Sequence, residues 1–221
     1  MAGKKRYQAR ERRQRIVYKG ACEGDQERLY LKHLMGLIQQ CESRNYDVDF
    51  NFYHTEGGSP LVVAKRASTI PAFDGQQIRV AIFDHDLKET DFRYALDVCK
   101  KEKIFPAYSN LCFDLWLILH KTNFSGCVNH TGQYVPIIRQ IYNLPAEADI
   151  KKEAIISNIL SQIQLADVHQ AIRNAFETTR NNSKVGTPCF TDRSVEYYPN
   201  PDLLIHQFID KVLNETGCTC A

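Results

Sequence analysis

The chain has 221 residues, 43% of them hydrophobic and 24% charged, the make-up of a soluble globular protein with one substantial core. No apolar run is long enough to cross a membrane; the longest, Leu115–Leu119, is bounded by Asp114 and His120. The basic start has no apolar stretch behind it and does not read as a secretory signal, and the eight cysteines are scattered, several inside apolar runs (Cys22, Cys99, Cys112), as thiols buried in a protein of the reducing cytoplasm are.

Net charge is only +2, but it is uneven. Lys4, Lys5, Arg6, Arg10, Arg12, Arg13 and Arg15 crowd the approach to the first strand, a basic arm that either neutralises nucleic-acid phosphates or trails as a solvated tail. Arg15–Cys22 is apolar and β-branched enough for a first strand, and Gly24 permits the tight turn into a helix whose leucines recur through Gln40. Tyr46–Tyr53 alternates as a half-exposed strand does. Pro60 opens a helix reaching Ser68. Gln77–Phe83 is a strand buried on both faces, Lys88–Lys103 a helix, and Ile104–Ser109 a further strand, with a helix starting after Asn110. Strand alternating with helix predicts an α/β fold: a parallel sheet flanked by helices. After Gly126 the strands largely stop. Tyr134–Tyr142, Ala146–Ile163, Leu165–Thr179 and Pro201–Asn214 are predicted helices, and Asn181–Asn200 a loop. The expected organisation is a basic arm (1–14), a catalytic core (15–125) and a C-terminal helical extension packed on it (126–221).

Chemistry concentrates at two strand ends. Asp84-His85-Asp86 closes the strand over Gln77–Phe83, and functional residues of open α/β sheets lie beyond the carboxyl ends of their strands. Two carboxylates one residue apart suit Mg²⁺, a hard cation that takes oxygen ligands and phosphate oxygens; alternatively one Asp caps a helix and the other is solvated. Glu23, at the end of the first strand, joins them if the two strands are neighbours, as a metal ligand or in proton transfer. Glu27, one helical turn on, is a further metal ligand or a first-turn acid favoured by the helix dipole. Asn110 and Asp114 face the same edge or serve as cap and dipole partner, and His120 contacts a phosphate or lies at the surface. Zinc is disfavoured, since Cys127-x-x-His130 and Cys218-x-Cys220 lack paired partner clusters. No Walker-type phosphate loop is present, so any ATP hydrolysis belongs to a partner.

A strand ending in Glu-Gly, with a later one ending in Asp-x-Asp, resembles the Toprim domain of topoisomerases, primases and OLD-type nucleases. The chain resembles still more the RloB-like family of bacterial defence proteins. Glu23-Gly24-Asp25-Gln26-Glu27-Arg28-Leu29-Tyr30-Leu31 is similar to that family's Glu-Gly-x-Thr-Glu-x-x-Tyr-Phe. Ser109-Asn110-Leu111-Cys112-Phe113-Asp114-Leu115-Trp116-Leu117-Ile118-Leu119-His120 is similar to its Ser-Asn-Pro-Cys-Phe-Glu-x-Trp-Leu-Leu-Leu-His. Asn200-Pro201 matches a late Asn-Pro. Gln26, Leu111 and Asp114 depart from the pattern. The resemblance implies a Toprim-like fold and a Mg²⁺-dependent (or Mn²⁺-dependent) nuclease with Glu23, Asp84 and Asp86 as its acids. It would cut RNA, transfer RNA included, or DNA during anti-phage defence, beside an AAA-type ATPase encoded nearby. The competing reading is a metal- and partner-binding subunit that cuts nothing; a primase-like enzyme ranks last. Self-association is compatible with either.

Overall fold

The computed structural model describes residues 13–55, 57–71, 78–126, 128–184 and 200–219. Strands β1 (Arg15–Cys22), β2 (Asp47–His54), β3 (Arg79–Asp84), β4 (Phe105–Asn110) and β5 (Asp202–Leu203) form one sheet in the order β2-β1-β3-β4-β5. Helices α1 (Asp25–Gln40), α2 (Pro60–Ser68) and α3 (Glu89–Glu102) alternate with the first four strands. Then come α4 (Asp114–Leu119), α5 (Tyr134–Ile141), α6 (Glu153–Ser161), α7 (Leu165–Lys184) and α8 (Ile205–Thr216). The first four strands pair in parallel and only β5 runs antiparallel, so the predicted α/β fold with a mostly parallel sheet is what forms.

Successive strand residues point to opposite faces, and each face has its own core. Tyr18, Cys22, Val80 and Ile82 pack with α1 and the C-terminal helices. Ala21, Ala81 and Phe83 pack with Val63 and Ala64 of α2 and with Phe92 and Ala95 of α3. Burial on both faces is why β3 reads as an unbroken apolar run. At Gly20 β1 lies close against β3: a Cβ there would stand 2.1 Å from the Val80 carbonyl oxygen, and no side chain fits.

Strand order opens a crevice at one edge of the sheet. From β1 the chain crosses to β2 on one side; from β3 it crosses to β4 on the other. Where neighbouring strands lead away in opposite directions, their following loops part and leave a crevice beyond the carboxyl ends. In this sheet that point lies between β1 and β3.

Several expected elements differ in detail. The predicted helix Ala146–Ile163 is shortened to α6, because Asp149 captures the Lys151 N–H with its side chain (3.1 Å) and the Lys152 N–H with its carbonyl (3.1 Å), making a turn instead. Asn110 does not cap α4: it is the last residue of β4, paired with Asp202. The predicted helix from Pro201 begins only at Ile205, since Asp202–Leu203 adds to the β4 edge, with the Asp202 carboxylate accepting from the Tyr108 hydroxyl at 2.7 Å. Residues 181–184 of the predicted loop extend α7, while 185–199 and the basic arm through residue 12 lie outside the described residues. The peptide bonds Asn110–Leu111 and Asn200–Pro201 are cis.

Candidate metal-binding cleft

At the carboxyl ends of β1 and β3 lies a cleft of about 550 Å³, lined by Glu23, Gly24, Gln26, Glu27, Asp84, Asp86, Cys112 and Lys151 among others. Glu23 reaches it because the ladder continues one residue past β1: its N–H donates to the Ile82 carbonyl (3.2 Å), and its carboxylate then accepts from the Asp84 N–H (3.2 Å). Beyond Asp84 the backbone turns sharply. Asp86 and Leu87 both have positive φ, +49° and +56°. Asp tolerates that left-handed conformation; Leu does so rarely, and such strain persists only where its surroundings impose it. Here the Asp86 N–H is tied to the Leu111 carbonyl (3.0 Å) and the Leu87 N–H to His85 Nδ1 (3.2 Å). His85 itself turns under the sheet edge and packs edge-on against Phe92, leaving Asp84 and Asp86 in the cleft.

The acids are held in a way that disfavours their charged forms. Burial raises the Glu23 pKa to about 7, helped by the charges of Asp86 and Glu27 and opposed by the hydrogen bond from the Asp84 N–H. Burial raises Asp84 as well, and the nearby Glu27, Glu23 and Asp86 add to it. Glu27 is also raised, chiefly by burial. Its carboxylate lines the cleft and also turns back to accept from the Gly24 N–H (2.9 Å), serving the N-terminus of α1 as the first-turn acid.

Lys151 is the residue that local pattern did not reveal. Its ammonium donates to Gln26 Oε1 (3.0 Å) and to Asp114 Oδ1 (3.2 Å), and Gln26 Nε2 donates to that same Asp114 oxygen (3.0 Å). Burial works against the lysine charge, but Asp114, Asp84 and the Cys112 side chain outweigh it and raise the Lys151 pKa. The Asp149 turn presents this lysine, and buried Ile150 beside it anchors the loop, with Arg139 holding the Ala148 carbonyl by two N–H groups (3.0 and 2.8 Å). Asp114 is thus buried under the cleft as a partner of Lys151 and Gln26.

Two expected site residues lie elsewhere. His120 is neither at the surface nor in the cleft: it is buried against Tyr30 and Trp116. Its Nδ1 faces the Trp116 carbonyl (2.8 Å), which can only accept, so Nδ1 carries the proton and Nε2 accepts from the Tyr30 hydroxyl (3.1 Å). Burial lowers its pKa to about 4, which keeps it neutral. Asn110 is buried at the end of β4, outside the cleft lining.

The family profile for RloB-like protein matches residues 21–210. The chain belongs to the RloB-like family. Neither the curated proteins nor the solved structures return a match. The matched span of this RloB-like chain contains the whole cleft, from Glu23 to Ile156, and the β5 edge strand that closes the sheet.

The donor set fits Mg²⁺ or Mn²⁺ in kind. It offers carboxylate oxygens, and burial raises the pKa values of Glu23 and Asp84, a penalty that a bound cation would relieve. Among the described residues no three His, Cys, Asp or Glu side chains stand as a ready cage. Mg²⁺ does not demand one, because it keeps several waters and takes one or two carboxylates. No helix among the described residues is long and apolar enough to cross a membrane.

Proposed function

We propose that this RloB-like protein is a metal-dependent nuclease that hydrolyses phosphodiester bonds in RNA, transfer RNA included, or in DNA. Asp84 and Asp86, with Glu23, would hold Mg²⁺ or Mn²⁺. The observation that carries this reading is the meeting, at one switch point of the sheet, of three acids from two strands with one lysine across the cleft. A divalent cation bound there would neutralise phosphate charge and activate water. Glu23, with a pKa near 7, is poised to take a proton from water or return one to a leaving oxygen. The Lys151 ammonium, aimed by Gln26 and Asp114, suits a non-bridging phosphate oxygen. The Toprim resemblance and the defence setting, with a partner ATPase as controller, belong to the same proposal.

A second reading is a subunit that binds metal and partner without cutting. One experiment separates the two: DNA and total RNA incubated with Mg²⁺ or Mn²⁺, with and without the neighbouring ATPase. Cleavage lost in Asp84→Asn supports the nuclease. Cleavage unchanged in that variant overturns the site, and no cleavage under any condition favours the binding subunit.

A further inference from the structure

The C-terminal end of α1 and the C-terminal end of α8 are sewn together at a distance from the cleft. The Asn45 N–H donates to the Thr216 carbonyl (2.8 Å) and Ser43 Oγ to the Gly217 carbonyl (3.0 Å). Gly217 turns the chain with φ +79°, and a Cβ there would stand 2.7 Å from Asn45 Nδ2, so the approach admits glycine alone. The Cys218 N–H then closes back on the Leu213 carbonyl (2.9 Å). This turn brings Cys218 beside Cys41, the residue that ends α1: Cys41 Sγ lies 3.2 Å from Ser43 Oγ, which itself donates to the carbonyl of Gly217, next to Cys218.

We propose that Cys41 and Cys218 are a redox-sensitive dithiol that closes to a disulfide and fastens the end of α8 to the end of α1. The pair differs from the other described cysteines. Cys22, Cys99 and Cys112 are buried, and burial raises their pKa values, to about 12 for Cys22 and Cys99. Cys41 is only half-buried. Burial works against its thiolate, but the Ser43 hydroxyl (3.2 Å), the Cys218 thiol and the N–H groups of Ser43 and Arg44 outweigh it and lower the pKa. Cys218 is fully buried and raised to about 11, first by burial and then by Cys41. The roles follow. The accessible, more acidic thiol meets the oxidant and the buried one resolves.

With a small disulfide such as oxidised glutathione, the Cys41 thiolate attacks one sulfur and expels one glutathione thiolate. Cys218 Sγ, losing its proton to solvent, then attacks Cys41 Sγ and expels the second. Two protein thiols and one glutathione disulfide become one protein disulfide and two glutathione thiols. The bond would span most of the chain and restrict the unfolded state accordingly.

The test is equilibration of the full chain in mixtures of oxidised and reduced glutathione, followed by alkylation and peptide mass mapping. The expected product is a cross-link between the peptides holding Cys41 and Cys218, reversed by dithiothreitol and raising the melting temperature. Cys218→Ser should trap a glutathione adduct on Cys41, Cys41→Ser should abolish the reaction, and Cys220→Ser should leave it intact. A melting comparison of oxidised and reduced wild-type protein keeps the proposal open to refutation even if Cys218→Ser folds poorly. A cross-link made to Cys220, a stable glutathione adduct on wild-type Cys41, or no thermal difference between the two forms would overturn it.

Discussion

The Glu23 carboxylate accepts a hydrogen bond at 3.2 Å from the backbone N–H of Asp84, 61 residues further along the chain. That bond ties the end of one strand to the end of its neighbour. It also places a protonatable group beside the two aspartates, in the crevice that the strand order opens.

Glu23→Gln tests this arrangement most directly. Glutamine keeps the length and can still accept from the Asp84 N–H, so the fold should hold. A group lost from proton transfer typically costs about 10²- to 10⁴-fold in rate. The expected outcome is a loss of that order in single-turnover cleavage, with a melting temperature equal to or above the wild type, because a desolvated acid has been removed.

Metal-free protein should weaken as pH rises through neutrality. Glu23 has an ordinary value of 4.5 and stands at about 7 in the fold, so its contribution is complete below the lower value and lost on passing the upper. Asp84 and Glu27 are raised too and act in the same sense. His120 and His206 oppose it on the acid side: their pKa values fall from 6.5 to about 4, so stability declines as pH drops through that interval. Urea titrations in a chelator should show a loss on the order of 1–3 kcal/mol on the alkaline side. Mg²⁺ binds the ionised acids and should remove that loss; a slope indifferent to Mg²⁺ would count against the cation site.

Lys151→Met should separate cleft chemistry from folding. The lysine side chain is 56% exposed, so its ion pair with Asp114 adds little by itself, but its loss leaves Asp114 and Asp84 without a nearby cation. Cleavage should fall by about 10²-fold or more, the scale of losing one charge-stabilising donor, while the melting temperature drops only slightly. Lys151→Arg should recover part of the activity, since it restores the charge on a different fork.

His120→Leu should do the reverse. Removing the imidazole strands the buried Tyr30 hydroxyl, at a cost of about 1–3 kcal/mol. Cleavage per folded molecule should be unchanged, and a selective loss of rate at full stability would return His120 to the site.

What could be read in the residues follows from how far each signal reaches. The leucine spacing of α1, the apolar run of β3 and the Asp-x-Asp that ends it are local, and the structure keeps them within a residue or two. Placing Glu23 beside Asp84 needed only neighbouring strands. The strand β5 was missed because two residues carry no periodicity; the free edge of β4 makes it a strand. His120 was misplaced because its neighbours are the Tyr30 and Trp116 rings, one of them ninety residues away.

The amino-acid sequence by itself determined the alternation of strand and helix and the acids that end two strands, because side-chain period and turn preference act over a few residues. Tertiary structure alone decided that Glu27 folds back onto its helix, that Lys151 stands across from the acids, and that Cys41 meets Cys218. Those positions depend on which buried surfaces pack together, and packing joins residues that no local rule connects.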